Sequence, residues 1–110
     1  MTYIYKDRQF KESPWEQGAD EAVVYTVTIP TSWGTATLTS ITCKLYEDPG
    51  NANTDRSATM LTGSASASGQ VITTQKVTGL TVDMDYRLEV KFTTAEGNVL
   101  EAWGIIRCGR

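Results

Sequence analysis

The sequence predicts an all-β fold, an antiparallel sandwich of about seven short strands. Three observations carry this. Several segments alternate apolar and polar side chains with a period of two, as half-buried strands do. Clusters of Gly, Pro, Asn and Asp separate them, where turns need fixed or positive φ. No segment shows the apolar 3.6-residue period of an amphipathic helix.

Taken in order, Tyr3-Ile4-Tyr5 opens the first sheet. Lys11 to Glu21 has room for no more than a helical turn around Trp15, because Pro14 and Gly18 oppose a longer helix. In the next segment Val23, Tyr25, Val27 and Ile29 share one face and Thr26 and Thr28 the other, until Pro30, which has no N–H, stops the ladder. Ile41, Cys43 and Leu45 alternate with Thr42, Lys44 and Tyr46 in the same way. Ala58 to Leu61 reads as a short edge strand, and Gly63 to Gly69 as a flexible connection or hairpin tip. Val71 to Val77, rich in β-branched residues, pairs antiparallel to a neighbour. The clearest strand sets Tyr86, Leu88, Val90 and Phe92 against Arg87, Glu89, Lys91 and Thr93, one face apolar and the other wet. Thr94 to Asn98 then turns the chain, and Val99 to Cys108 closes the sheet. In it Leu100, Ala102, Gly104, Ile106 and Cys108 face the core, with Glu101, Trp103 and Arg107 opposite.

A chain of 110 residues, 1–110, makes one domain with a core that needs no staples. The net charge of −3 and the lack of a Lys/Arg cluster argue against nucleic acid as a partner. No apolar run reaches bilayer length, so no membrane partner is expected, and Met1 to Phe10 lacks the pattern of a signal peptide. Histidine is absent, which removes the commonest general base and a leading metal ligand. A Ser–His–Asp relay cannot be assembled. A Ser–Lys pair would have to use Lys44, Lys76 or Lys91, which alternate with core positions and read as solvated strand residues. Cys43 and Cys108 sit on apolar faces without an activating imidazole and read as reduced, buried thiols. A bridge between them would be worth about 4–5 kcal/mol. No cofactor and no metal is expected. The loop Glu47 to Asp55 gathers oxygen ligands in Asp48, Asn51, Asn53 and Asp55, but it lacks EF-hand spacing and reads as turn chemistry rather than a calcium site. The chain is thus expected not to be an enzyme.

Gly79 to Val90 resembles the corner between the fifth and sixth strands of fibronectin type III and related Ig-like domains. There a Leu six residues before a Tyr packs under the corner, and the Tyr hydroxyl bonds back to nearby backbone; Leu80 and Tyr86 hold those positions. The resemblance implies an Ig-like (fibronectin type III-like) antiparallel β-sandwich. The chain departs from that pattern in having no Trp between Val23 and Ile29, and Cys43 and Cys108 do not match the inter-sheet bridge of antibodies. The chain also resembles small structural proteins of tailed bacteriophages and prophages. Lys6-Asp7, the stretch Tyr25 to Trp33 and the turn Thr93-Thr94-Ala95-Glu96-Gly97 carry that likeness. It implies a non-catalytic virion protein, assembled in the bacterial cytoplasm, whose partners are other virion proteins or copies of itself.

Trp15, Trp33 and Trp103 are the candidate binding residues, since tryptophan anchors interfaces and stacks on sugar rings. Trp103 stands out because its neighbours on that face, Glu101 and Arg107, are polar. The bland alternative covers it with Tyr3 or Phe10 of the N-terminal segment. Trp15 and Trp33 lie beside Pro14 and Gly34 in expected loops, where they would cap an open end of the sandwich. The rival functional reading is a carbohydrate-binding or adhesion module of fibronectin type III-like fold, with a glycan as partner.

Overall fold

The computed structural model describes residues 8–110. The expected strand Tyr3–Tyr5 and the Lys6-Asp7 pair lie outside them. In chain order the elements are β1 (Trp15–Glu16), β2 (Thr26–Thr28), β3 (Thr39–Glu47), β4 (Thr54–Asp55), α1 (Ser57–Met60), β5 (Leu61–Thr62), β6 (Ser66–Ser68), β7 (Val71–Thr73), β8 (Lys76–Val77), β9 (Met84–Thr93) and β10 (Val99–Cys108).

The strongest alternation builds the larger sheet, ordered β1-β10-β9-β3-β4. β9 and β10 form an unbroken antiparallel hairpin from Val99 opposite Thr93 to Cys108 opposite Met84. β3 runs antiparallel along the other side of β9, with an irregularity between Thr39 and Thr42 where Ser40 takes a positive φ of 53°. Because the β9–β10 register is unbroken and the β3–β9 register is regular from Thr42 to Glu47, whole rows of side chains line up across three strands. Cys43, Val90 and Ala102 form one inward row, and Leu45, Leu88 and Gly104 the next. β1 adds at the outer side of β10 in parallel, Trp15 opposite Ile106.

A second group of strands is ordered β2-β7-β6, with β5 paired to β8. Val23 bridges Val77, so the stretch from β7 to β8 lies between Val23–Thr28 on one side and β5–β6 on the other. Inward side chains of both groups, among them Val27, Ile72 and Val77 from one and Leu45, Tyr86, Leu88, Val90, Phe92 and Ile106 from the other, belong to a single core cluster. The molecule is therefore mostly β, with antiparallel sheets about a shared core. Burying each such side chain contributes about 1.5–3 kcal/mol against the ordering entropy of the chain.

Four sequence expectations need correction. Val71 to Val77 is not one strand: it breaks at Thr74, which is buried. Its hydroxyl accepts from the Tyr25 N–H at 3.0 Å and donates to the Gln75 carbonyl at 2.9 Å, taking the place of ladder bonds. Ala58–Leu61 is not a strand; Ser57–Met60 makes one helical turn, which the Arg56 carbonyl closes by accepting from the Met60 N–H, and only Leu61–Thr62 is extended. Gly63–Gly69 is more than a loose connection, since β6 lies inside it. Lys11–Glu21 holds no helical turn; extended β1 replaces it, because its backbone finds partners along β10.

Candidate functional site

The outward face of the larger sheet is built by the same registers, one residue out of phase with the core. Its rows are Thr42–Lys91–Glu101, Lys44–Glu89–Trp103 and Tyr46–Arg87–Ile105. Charged side chains dominate this face, and Trp103 and Tyr46 are the aromatic members of these rows. The Arg87 guanidinium lies 5.4 Å from the centre of the Tyr46 ring, a cation–π distance. Its Nε is 2.8 Å from Glu89 Oε2, an ion pair whose N–H is not aimed to make a hydrogen bond. Beside these rows runs a groove of about 510 Å³ lined by Arg8, Pro49, Arg87, Glu89, Glu101 and Trp103. Two guanidinium and two carboxylate groups leave it without net charge.

Trp103 is half-buried in this face. Its backbone is fully engaged, the N–H donating to the Arg8 carbonyl at 2.9 Å and the carbonyl accepting from the Phe10 N–H at 2.8 Å. Its indole Nε1, like Arg8 Nε and Arg87 Nε, is buried without a hydrogen-bond partner among the described residues. Phe10 does not cover it: that ring is 1% exposed within the core. Tyr3 lies outside the described residues.

The other two tryptophans sit elsewhere. Trp15 lies over Gly104 and packs on Tyr25, ring centres 4.6 Å apart, and on Phe10 at 6.3 Å. It is a partly buried core neighbour in a strand, not the expected loop cap. Trp33 stands in the turn after β2 and packs partly buried against the core. Its loop is braced from two sides. Gln70 Nε2 donates to the carbonyls of Ile29 at 2.9 Å and Gly34 at 3.0 Å. On the other side the Thr35 N–H and hydroxyl both donate to the Glu96 carboxylate, and the Ala95 N–H donates to the Thr35 carbonyl at 2.9 Å. The Thr35 hydroxyl and N–H hold the Glu96 carboxyl down to about 2.

Leu80 and Tyr86 are both buried, beneath the crossing from β8 to β9. The Tyr86 hydroxyl accepts from the Thr81 N–H at 2.7 Å and donates to Glu47 Oε2 at 2.7 Å. Arg56 Nη2 donates to the other Glu47 oxygen at 3.0 Å. The Tyr86 bond, with Arg56 behind it, holds the Glu47 carboxyl below its usual range, while burial pushes the Tyr86 phenol up. A second buried polar group links Gln17 to Tyr25. The Tyr25 hydroxyl donates to Gln17 Oε1 at 2.6 Å, and Gln17 Nε2 donates to the Val77 and Glu21 carbonyls. Burial, then the nearby Glu21 carboxylate, pushes the Tyr25 phenol up to about 12.

Residues considered for chemistry are held in structural roles. Cys43 and Cys108 are free, buried thiols, and burial pushes the Cys43 thiol up. In the loop after β3, Asp48 takes a positive φ of 57° and its carbonyl accepts from the N–H groups of Asn51 and Asn53. Asp55 Oδ1 accepts from the Ser57 N–H at 2.9 Å. Among the described residues no three His, Cys, Asp or Glu side chains gather as a metal site, and no helix is long and apolar enough to cross a membrane.

Comparison with protein families, curated proteins and solved structures finds no match for this chain. Sequence reasoning missed Arg87, Glu89 and Arg8 as companions of Trp103. The signal was present for two of them: a turn at Thr94–Asn98 fixes the hairpin register, and that register sets Glu89 opposite Trp103 and Arg87 opposite Ile105.

Proposed function

We propose that this chain is a non-catalytic, Ig-like β-sandwich that works by protein–protein assembly, as a virion-associated structural protein of a tailed bacteriophage or prophage. Its partners are other virion proteins or copies of itself, which it meets in the bacterial cytoplasm during assembly. The observation that carries the assembly reading is the outward face around Trp103. A half-buried tryptophan beside a groove without net charge, with Arg87 and Tyr46 in the next row of the sheet, has the residue types that anchor interfaces. Support for the Ig-like assignment comes from the Tyr86 hydroxyl meeting the Thr81 N–H, and from the order β10-β9-β3 opposite β2-β7. The phage assignment rests on the sequence resemblance.

The test compares incorporation of the parent chain and Trp103→Ala into purified particles, with thermal unfolding of each. We expect at least tenfold less incorporation at an unchanged midpoint, the size of effect that a hot-spot residue gives. Equal incorporation would remove Trp103 from the interface.

The second reading, a carbohydrate-binding or adhesion module, is favoured by the donor and acceptor mixture in the groove. Sugar hydroxyls both donate and accept, and could meet Glu89, Glu101 and Arg87 beside the indole ring. Saturable quenching of tryptophan fluorescence by a polysaccharide, lost in Trp103→Ala, would select it.

A further inference from the structure

We infer that the free edge of β6 is a self-association site, where two copies of this chain pair antiparallel about a two-fold axis at Ser66. This goes beyond the function proposed above and involves neither Trp103 nor its face. Among the described residues β6 has a strand on one side only, β7. The two are joined by the Gly69-Gln70 turn, with Ser68 opposite Val71 and Gly69 at a positive φ of 59°. In such a two-residue hairpin the closing pair exchanges hydrogen bonds and the pairs alternate from there. Ser68 and Ser66 therefore spend their backbone groups on β7. Ala67, and Ala65 just before the strand, turn their N–H and C=O groups outward.

The edges at β1, β2 and β4 carry guards of the kind that prevent strand addition. On β2 the Thr28 N–H donates to the Glu12 carboxylate at 3.0 Å. β1 is flanked by Pro14 and includes Glu16, and β4 ends at Asp55, followed by Arg56. The β6 edge has none of these: no Asp, Glu, Lys, Arg or Pro occurs between Arg56 and Lys76.

The identity of the occupant follows from the sequence of the edge itself. Gly63-Ser64-Ala65-Ser66-Ala67-Ser68-Gly69 reads the same in both directions about Ser66. Antiparallel pairing of two copies about that residue sets Ala65 opposite the partner's Ala67, and Ser64 opposite the partner's Ser68. This register brings the outward backbone groups of both chains into hydrogen-bonded pairs on either side of the axis, with Ser66 facing the partner's Ser66 as a non-hydrogen-bonded pair. A slip by one residue would set outward groups against inward ones and place the half-buried Ala65 and Ala67 opposite exposed serines. A slip by two keeps the alternation but sets Ala65 or Ala67 opposite a glycine at the end of the segment, so the register centred on Ser66 matches the edge most fully. The contact is short, so association is weak and concentration-dependent.

The test introduces Ser66→Cys into the full chain under mild oxidation. Facing Cα atoms of a non-hydrogen-bonded pair lie about 4.5 Å apart, within the span of about 4.4–6.8 Å that a disulfide takes. Ser64→Cys is the register control, because it faces position 68 rather than itself. We expect Ser66→Cys to give a covalent dimer in at least tenfold higher yield than Ser64→Cys. Adding Ala67→Pro, which deletes only an outward N–H, should abolish that yield. Sedimentation of the parent chain should reach twice the monomer mass as it approaches millimolar concentration. Equal cross-linking of the two cysteine variants, or a monomer at every concentration, would overturn the proposal.

Discussion

Gly104 lets the Trp15 ring lie against β10. A Cβ at that position would lie 2.5 Å from Trp15 Cζ3 and 2.8 Å from Cη2, far inside contact distance. Gly104→Ala must therefore push the indole off the strand and off Tyr25, and overpacking of this kind costs about 1–3 kcal/mol. The expected outcome is a lower urea midpoint at an unchanged slope; an unchanged midpoint would mean that the ring moves aside freely. Sequence alternation puts Gly104 on the inward face but says nothing of what fills the missing side chain. The answer comes from Trp15, far away in the chain, through the parallel pairing of β1 that no local pattern announces. Tyr86 is different, since the Leu80–Tyr86 spacing and the corner around it are local. What stayed hidden there was Glu47, which reaches the phenol only because β3 and β9 pair Glu47 with Tyr86.

At the level of elements, the long strands were legible and the broken ones were not. β3, β9 and β10 each have one wet and one buried face, so the period of two is visible along their length. β5 to β8 are short because side chains replace ladder bonds, Thr74 between β7 and β8 and Gln75 on the Gly63 carbonyl. The loop joining β2 to β3 is docked in the same manner onto the β9–β10 turn, through Glu96 and Thr35. This docking has a pH signature. The folded-state pKa of Glu96, about 2, lies below its ordinary value of 4.5, so folding favours the carboxylate. Its contribution is present above the ordinary value and is lost as pH falls from there toward 2. Glu96→Gln should lower the thermal midpoint modestly near neutrality and flatten the acid limb of stability against pH in that window, so that parent and variant converge as pH falls toward 2. A parent and variant with parallel acid limbs would show that the Thr35 bonds add nothing.

For the whole molecule, the sheets divide the labour. Inward rows of the β3–β9–β10 sheet supply much of the core, its outward rows supply the face around Trp103, and the second group of strands ends in the unguarded edge of β6. The all-β class was legible in alternation and turn residues, because those are properties of short stretches. The groove was not, because Arg8, Pro49 and Trp103 come together only after three separate segments are assembled. The proposed function takes the Trp103 face as a binding surface and this chain as one part of a larger assembly. The most direct test of that account is mass spectrometry of particles purified from an induced culture of the source organism. The account predicts this chain at a fixed stoichiometry to the capsid and tail proteins. Its absence from well-formed particles, with the chain abundant in the surrounding lysate, would contradict it.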